Sequence, residues 1–237
     1  MTSRNRRSGI ALVLLFALLL VSPWSVAAQS SQSLLKKGED LYLNNKPDQA
    51  VAVLKSALEE EPRNARIYHY LGVSYQQLGM HEAAIETMRE ALDLSMSSRM
   101  EASFYFNIGN SYAESGEPQK AREMYGKAVK ADNSFAKAYL NRANTTVDAF
   151  KGNADKEQRI QAFERAVNDY QVYLSLKPQT SQKPQIRKMI ELLQQSAQQE
   201  RQALEAERER RRREEERRKA LVDSVLDSLD QAGEEAK

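Results

Sequence analysis

The sequence predicts an all-α fold: helical hairpins stacked one on the next, closed by a capping helix that continues as a long charged helix. Three observations predict it. Glycine and proline are scarce (9 and 6 in 237 residues), and aromatics make up 7% against 29% charged residues. That balance suits helices with a large wetted surface better than turn-rich sheets. Glycines and alanines recur in register through the middle of the chain, and the run ERERRRREEERRK at 207–219 has neither proline nor glycine to interrupt it.

In chain order, residues 1–28 read as a secretory signal peptide. Arg4, Arg6 and Arg7 give a positive start, IALVLLFALLLV from Ile10 to Val21 an apolar core, and Pro23 a break; Val26-Ala27-Ala28 offers small residues for cleavage after Ala28. The general secretory route fits better than the twin-arginine route, because Ser8 and Gly9 follow Arg6-Arg7 and the core is very hydrophobic. The alternative is an uncleaved inner-membrane anchor over residues 9–28, near the roughly 20 residues that span a bilayer, although Ser22, Pro23 and Ser25 interrupt it. The expected location is the periplasm. Loss of residues 1–28 removes three arginines and turns the formal charge from +2 to −1, so nucleic acid is not an expected partner. The chain has 0 cysteines, which excludes disulfides, thiolate metal sites, a cysteine nucleophile and lipid attachment at a lipobox cysteine.

Three segments then align, beginning at Leu34, Tyr68 and Tyr105. Gly38, Gly72 and Gly109 fall in register; Ala50, Ala84 and Ala121 follow 12 residues later, and Ala57, Ala91 and Ala128 another 7 on. Tyr75 and Tyr112 sit 3 residues after their glycines, where the first segment has Leu41. The first two units are offset by 34 residues. In this register and period the segment 31–178 resembles the tetratricopeptide repeat (TPR) family, which implies an α-solenoid of helix–turn–helix units, here about 31–64, 65–98, 99–135 and 136–178. Small residues let paired helices approach, and Tyr68, Leu71 and Tyr75 fill the gaps between them. Turns are expected at Asn44–Pro47, Leu78–Met80 and Ser115–Pro118, with Pro47 and Pro118 opening second helices, where a missing N–H matters little. The third unit is offset by 37 residues; the insertion at 95–100 reads as one added turn, capped by Ser98 with Glu101. In the fourth, Ala143 replaces the glycine, Tyr173 replaces an alanine, and 11 extra residues lie between Thr146 and Ala166. Eleven residues are close to three helical turns, so a longer hairpin with its tip near Lys151–Asp155 is expected.

Residues 184–230 follow as a capping and charged helix, with a tail at 231–237. Ile186, Met189, Ile190 and Leu193 form the stripe that covers the last repeat. Beyond Leu204, Glu207–Arg211, Glu209–Arg213, Glu214–Arg218 and Glu215–Lys219 are spaced i, i+4 with glutamate first, the better orientation. This reads as a free-standing strut, with a coiled-coil structural role as an alternative; interleaved glutamates would repel phosphates. Leu221, Val222, Val225, Leu226 and Leu229 rebuild an apolar stripe opposite Asp223, Asp227 and Asp230, which suits docking onto a partner or self-association.

No catalytic constellation stands out. His69 and His81 are the 2 histidines, and no set of metal ligands accompanies them; neither cofactor nor metal is expected, and the chain does not read as an enzyme. The resemblance implies instead a concave groove lined by first helices. Counted from the glycines, its positions are Arg66, His69, Gln76 and Gln77, then Phe106, Asn107, Asn110 and Glu114, then Lys137, Asn141 and Asn144. Amides can pair with a peptide backbone through donors and acceptors; alternatively they bridge neighbouring helices. Some TPR proteins clamp a terminal carboxylate with lysine and asparagine. Asn107 and Lys137 match that pattern, whereas His69, Val73 and Asn141 depart from it. The expected function is an exported adaptor for protein or peptide partners of the cell envelope or its membranes, with membrane contact only through an uncleaved leader. The alternative is a subunit of an outer-membrane or cell-wall assembly machine. The units YFNIGN and AKAYLNRAN, the charged helix and LVDSVLDSLD are also similar to exported TPR proteins of aerotolerance-type operons.

Overall fold

The computed structural model describes the backbone of residues 23–150 and 155–235 and the side chains of residues 30–149 and 155–228. Residues 1–22 of the expected leader, residues 151–154 of the expected hairpin tip and the side chain of Leu229 lie outside the described residues. Among the described residues the regular structure is entirely helical: α1 (Pro23–Leu43), α2 (Pro47–Glu60), α3 (Ala65–Gln77), α4 (His81–Ala91), α5 (Ser98–Glu114), α6 (Pro118–Ala131), α7 (Ala136–Phe150), α8 (Lys156–Leu176) and α9 (Lys183–Glu235). They divide into two compact units between Leu78 and Gly79.

In the first unit α1 and α2 form a hairpin and α3 packs against both. The chain turns between α1 and α2 through Asn45 at φ 57, a left-handed conformation that asparagine tolerates better than most residues. Pro47 opens α2. Gly38 makes the close approach the sequence anticipates: a Cβ there would lie 2.5 Å from the Leu54 side chain. Leu54, Ala50 and Ala57 are fully buried behind it, and burying a leucine contributes about 1.5–3 kcal/mol. Asn64 caps α3, its Oδ1 accepting from the Arg66 N–H at 3.1 Å.

The second unit repeats the plan. Gly116 turns the chain at φ 81 and Pro118 opens α6. A Cβ on Gly109 would lie 2.6 Å from the ring of Tyr125. The added turn is present, since α5 starts 11 residues before its glycine and α3 starts 7 before its own. Its cap is Ser97, one residue earlier than expected: Ser97 has the extended backbone of a cap and its Oγ accepts from the Met100 N–H, which leaves Ser98 as the first helical residue. In the fourth hairpin the extra length goes mainly into α8, with 21 residues against 14 in α6. Asp155 caps it, Oδ1 accepting from the Gln158 N–H at 2.8 Å.

α9 packs on α8 in two stages. Ile186, Leu193 and Ala197 are buried and Ile190 partly so. Met189 stands at the rim and is exposed; the covering stripe is therefore 186, 190, 193 and 197, a 3.5-residue repeat that keeps one seam on its neighbour. The Tyr173 hydroxyl, in place of a repeat alanine, donates to Gln182 Oε1 at 3.0 Å and fastens the α8–α9 turn. An ionic clasp follows: Lys156–Glu207 at 2.8 Å and Arg159–Glu200 at 2.9 Å, with Glu164–Arg201 and Glu157–Arg208 beside them. The strut thus begins later than the sequence suggests, because Glu207 and Arg208 are tied to α8. Past Arg208, Arg211–Glu207 and Arg213–Glu209 close at 2.6 Å within the helix. The 53-residue α9 measures about 80 Å at ~1.5 Å per residue.

Candidate functional site: the first-helix face

In the first unit the face is made by α1 and α3. Glu39 follows Gly38, and its carboxylate accepts from the Tyr70 hydroxyl at 2.5 Å and from Arg66 Nη2 at 3.2 Å. The rings of Tyr42 and Tyr70 lie 6.0 Å apart, and His69 stands edge-on to Tyr70 at 5.3 Å. Gln77 Nε2 donates to Asn45 Oδ1 at 2.5 Å, and Gln76 is half-buried. Burial lowers the His69 pKa from its ordinary 6.5, with Glu39 opposing and Arg66 assisting, so the imidazole is neutral at pH 7. Burial and the hydrogen bond to Glu39 both raise the Tyr70 phenol, which stays a donor.

In the second unit the face is made by α5 and α7. Asn110 Oδ1 accepts two hydrogen bonds, from the Tyr125 hydroxyl at 2.9 Å and from Asn141 Nδ2 at 3.0 Å. Asn144 Oδ1 accepts from the Tyr170 hydroxyl at 2.6 Å. Asn110 follows Gly109 and Asn144 follows Ala143, so the same bond recurs in both hairpins. The separations are 15 and 26 residues. The difference is the 11-residue insertion, which adds about three turns and returns the tyrosine to register. Burial pushes both phenols up to about 12, which keeps them protonated donors.

The sequence-derived positions therefore separate. Arg66 braces α3 against α1, and Gln77 ties the end of α3 to the α1–α2 turn. Asn110, Asn141 and Asn144 brace helices through their amides, the bridging alternative. Of the predicted set, Asn110 and Asn141 meet each other. The Phe106 ring packs tilted against Phe135 at 5.3 Å and Tyr125 at 5.8 Å, half-buried in core packing. Asn107 is half-buried, and Lys137 on the first turn of α7 is exposed. Glu114 is exposed, 3.6 Å from His81 Nδ1. Val73, at a clamp position, is buried. Glu39, Tyr42 and Tyr70 were not anticipated; the signal was available, since Glu39 occupies the register of Asn110, one residue after the repeat glycine.

Beyond this face, Leu221, Val222, Val225 and Leu226 at the end of α9 are 66%, 50%, 50% and 54% exposed. Among the described residues no cluster of histidines and carboxylates could hold a metal ion, and no helix is long and apolar enough to cross a membrane.

A tetratricopeptide repeat family model matches residues 63–134, and a second TPR repeat model matches residues 38–79. No curated protein matches the sequence. The fold is similar to the crystal structure of MamA protein (20% identity, TM-score 0.57, 75% of this chain and 88% of that one). It is also similar to a tetratricopeptide repeat protein from Parabacteroides merdae (19% identity, TM-score 0.56, 77% of this chain and 68% of that one). A chain of the APC/C hetero-tetramer Cut9–Hcn1 matches at 14% identity and TM-score 0.56, over 72% of this chain and 31% of that one. At these identities the likeness shows the fold alone; the matched repeats suggest the coarse role, a protein–protein interaction scaffold. Residues 38–134 are matched by tetratricopeptide repeat models, so this part of the chain carries TPR repeats, and the fold as a whole is similar to solved repeat structures.

Proposed function

We propose that this chain is an exported adaptor that binds partner proteins on its first-helix face and helps assemble a complex of the cell envelope. The observation that carries the reading is the division of labour on that face. Glu39, Tyr70, Asn110 and Asn141, all half-buried, brace the helices, while Lys137, one turn before Asn141 on the same helix, is exposed. A face made rigid by internal hydrogen bonds loses little conformational freedom on binding. The amide N–H2 groups of Asn110 and Asn144 lie outside the bonds their carbonyls accept, so each retains donors for a peptide carbonyl. Export rests on the leader pattern of residues 1–28. The resemblance to aerotolerance-type operon proteins favours a membrane-protein complex as the assembly served. The exposed apolar end of α9 favours a second contact, either with that complex or with another copy.

A photoreactive residue at Lys137 tests the face in cells, with one at the exposed Glu123 on α6 as control. The adaptor reading expects one discrete adduct from position 137 and none from 123; the same adducts from both positions would contradict it. Export expects a mature N-terminus at Gln29, and retention of residues 9–28 would assign the anchored form. Truncation after Lys219 is expected to lose the second contact, and an unchanged partner set and oligomer mass would remove the docking role of α9.

A further inference from the structure

A cleft of about 550 Å³ opens on the second unit, lined by α6, α7 and α8. Its polar residues are not those of the first-helix face. At its base Asp169, 4% exposed, takes Arg142 in a fork: Nε to Oδ2 at 2.8 Å and Nη2 to Oδ1 at 2.6 Å. The fork fixes one guanidinium, and its hydrogen bonds to Asp169 raise the pKa of Arg142. Arg122 of α6 and Arg165 of α8 add two more guanidinium groups to the lining. The two acids present are already engaged, Asp169 by Arg142 and Glu164 by Arg201 of α9. Arg165 has a hydrogen bond of 3.4 Å to Gln161, a length at which such a bond is weak.

Gly126 is an independent indication. It lies inside α6, one turn after Arg122, where glycine is unfavourable relative to alanine. Packing does not require it: a Cβ would meet only Arg142 Nη1, at an ordinary 3.7 Å, whereas one on Gly109 would strike Tyr125 at 2.6 Å. A methyl there would stand 3.7 Å from Nη1 of Arg142, the nitrogen outside the Asp169 fork.

We propose that this cleft is a second recognition site, one that takes the carboxylates of an acidic peptide segment of a partner protein. A guanidinium held in place, as that of Arg142 is, matches a carboxylate bidentately, and Arg122 and Arg165 add positive charge beside it. Gln161 and Asn168, also in the lining, suit the amides of a peptide backbone. With two carboxylates in the same wall, a singly charged carboxylate is accommodated better than a phosphate dianion.

The test uses the full chain, a fluorescein-labelled penta-aspartate peptide, its penta-asparagine counterpart and inorganic phosphate as competitor. The aspartate peptide is expected to bind, with affinity falling as salt rises, and the asparagine peptide not to bind. Arg165→Gln, at an exposed position, should weaken binding about tenfold, the effect of one lost charge-assisted hydrogen bond. Gly126→Ala should weaken it too while leaving the melting temperature unchanged or higher, which a packing role would not produce. Arg218→Gln on the strut should leave binding as it was. Equal binding of both peptides, indifference to Arg165→Gln, loss through Arg218→Gln, or displacement by equimolar phosphate would each overturn the proposal.

Discussion

In the first unit the residue after Gly38 is Glu39, and in the second the residue after Gly109 is Asn110. Both reach the next first helix, Glu39 to Arg66 and Tyr70 of α3, Asn110 to Asn141 of α7. The first seam is ionic, aromatic and partly wetted, and a titratable imidazole stands beside it. The second is made of amides that also receive the tyrosine hydroxyl of the hairpin's own second helix. After Gly38 and Gly109 the next residue is polar and braces the following first helix, and its chemistry sets what conditions that seam responds to; after Gly72 it is the buried Val73. A carboxylate seam answers to salt; an amide seam does not.

The largest effect should come from breaking the register both seams share. Gly109→Val drives a branched side chain into the ring of Tyr125, which is 2% exposed and has nowhere to move. Overpacking of this kind costs typically 1–3 kcal/mol, and a loss of about 3 kcal/mol is expected, read from hydrogen exchange of the second unit's amides. Gly38→Val meets the more flexible Leu54 and should cost less. Next is Asp169→Ala, which leaves the Arg142 guanidinium without its partner. Stranding a fully buried charge costs 3–5 kcal/mol; Arg142 reaches solvent, so about 2 kcal/mol is expected in urea unfolding.

The helical hairpins were legible in the sequence because close approach demands small residues at fixed intervals, and Gly38 and Gly109 do stand at crossings. The tyrosine–asparagine bonds were not, since spacings of 15 and 26 look unrelated until the insertion is subtracted. The ionic clasp was hidden for a similar reason. Local i, i+4 partners are visible in any charged run, whereas Lys156–Glu207 and Arg159–Glu200 are 51 and 41 residues apart. Ser97 and Ser98 are chemically alike, so the cap was misplaced by one. The amides at 110, 141 and 144 were legible as polar positions on the right face, but the sequence could not tell a group that greets a partner from one that ties helices together.

Smaller effects sharpen the contrast between the seams. Tyr125→Phe removes one hydrogen bond and should cost about 1 kcal/mol; in a cycle with Asn110→Ala the two losses should not add. The smallest effect separates the seams by pH. His69 is held neutral in the fold, so below 6.5 the unfolded chain takes up a proton that the folded chain refuses. The first unit should thus keep its stability above pH 6.5 and lose a little as pH falls through that value, and His69→Gln should flatten the slope. The Asn110 seam should show no such dependence. An equal slope in both units would mean that His69 is not its source.

The most direct measurement of the central claim is the affinity of a purified partner for two charge-reversed full chains, Lys137→Glu on the first-helix face and Glu123→Lys on α6. If the first-helix face is the interface, the first substitution weakens binding about tenfold or more, the loss of one charge contact, and the second leaves it within about twofold. Equal affinities for both variants, or loss through Glu123→Lys alone, would place the interface elsewhere.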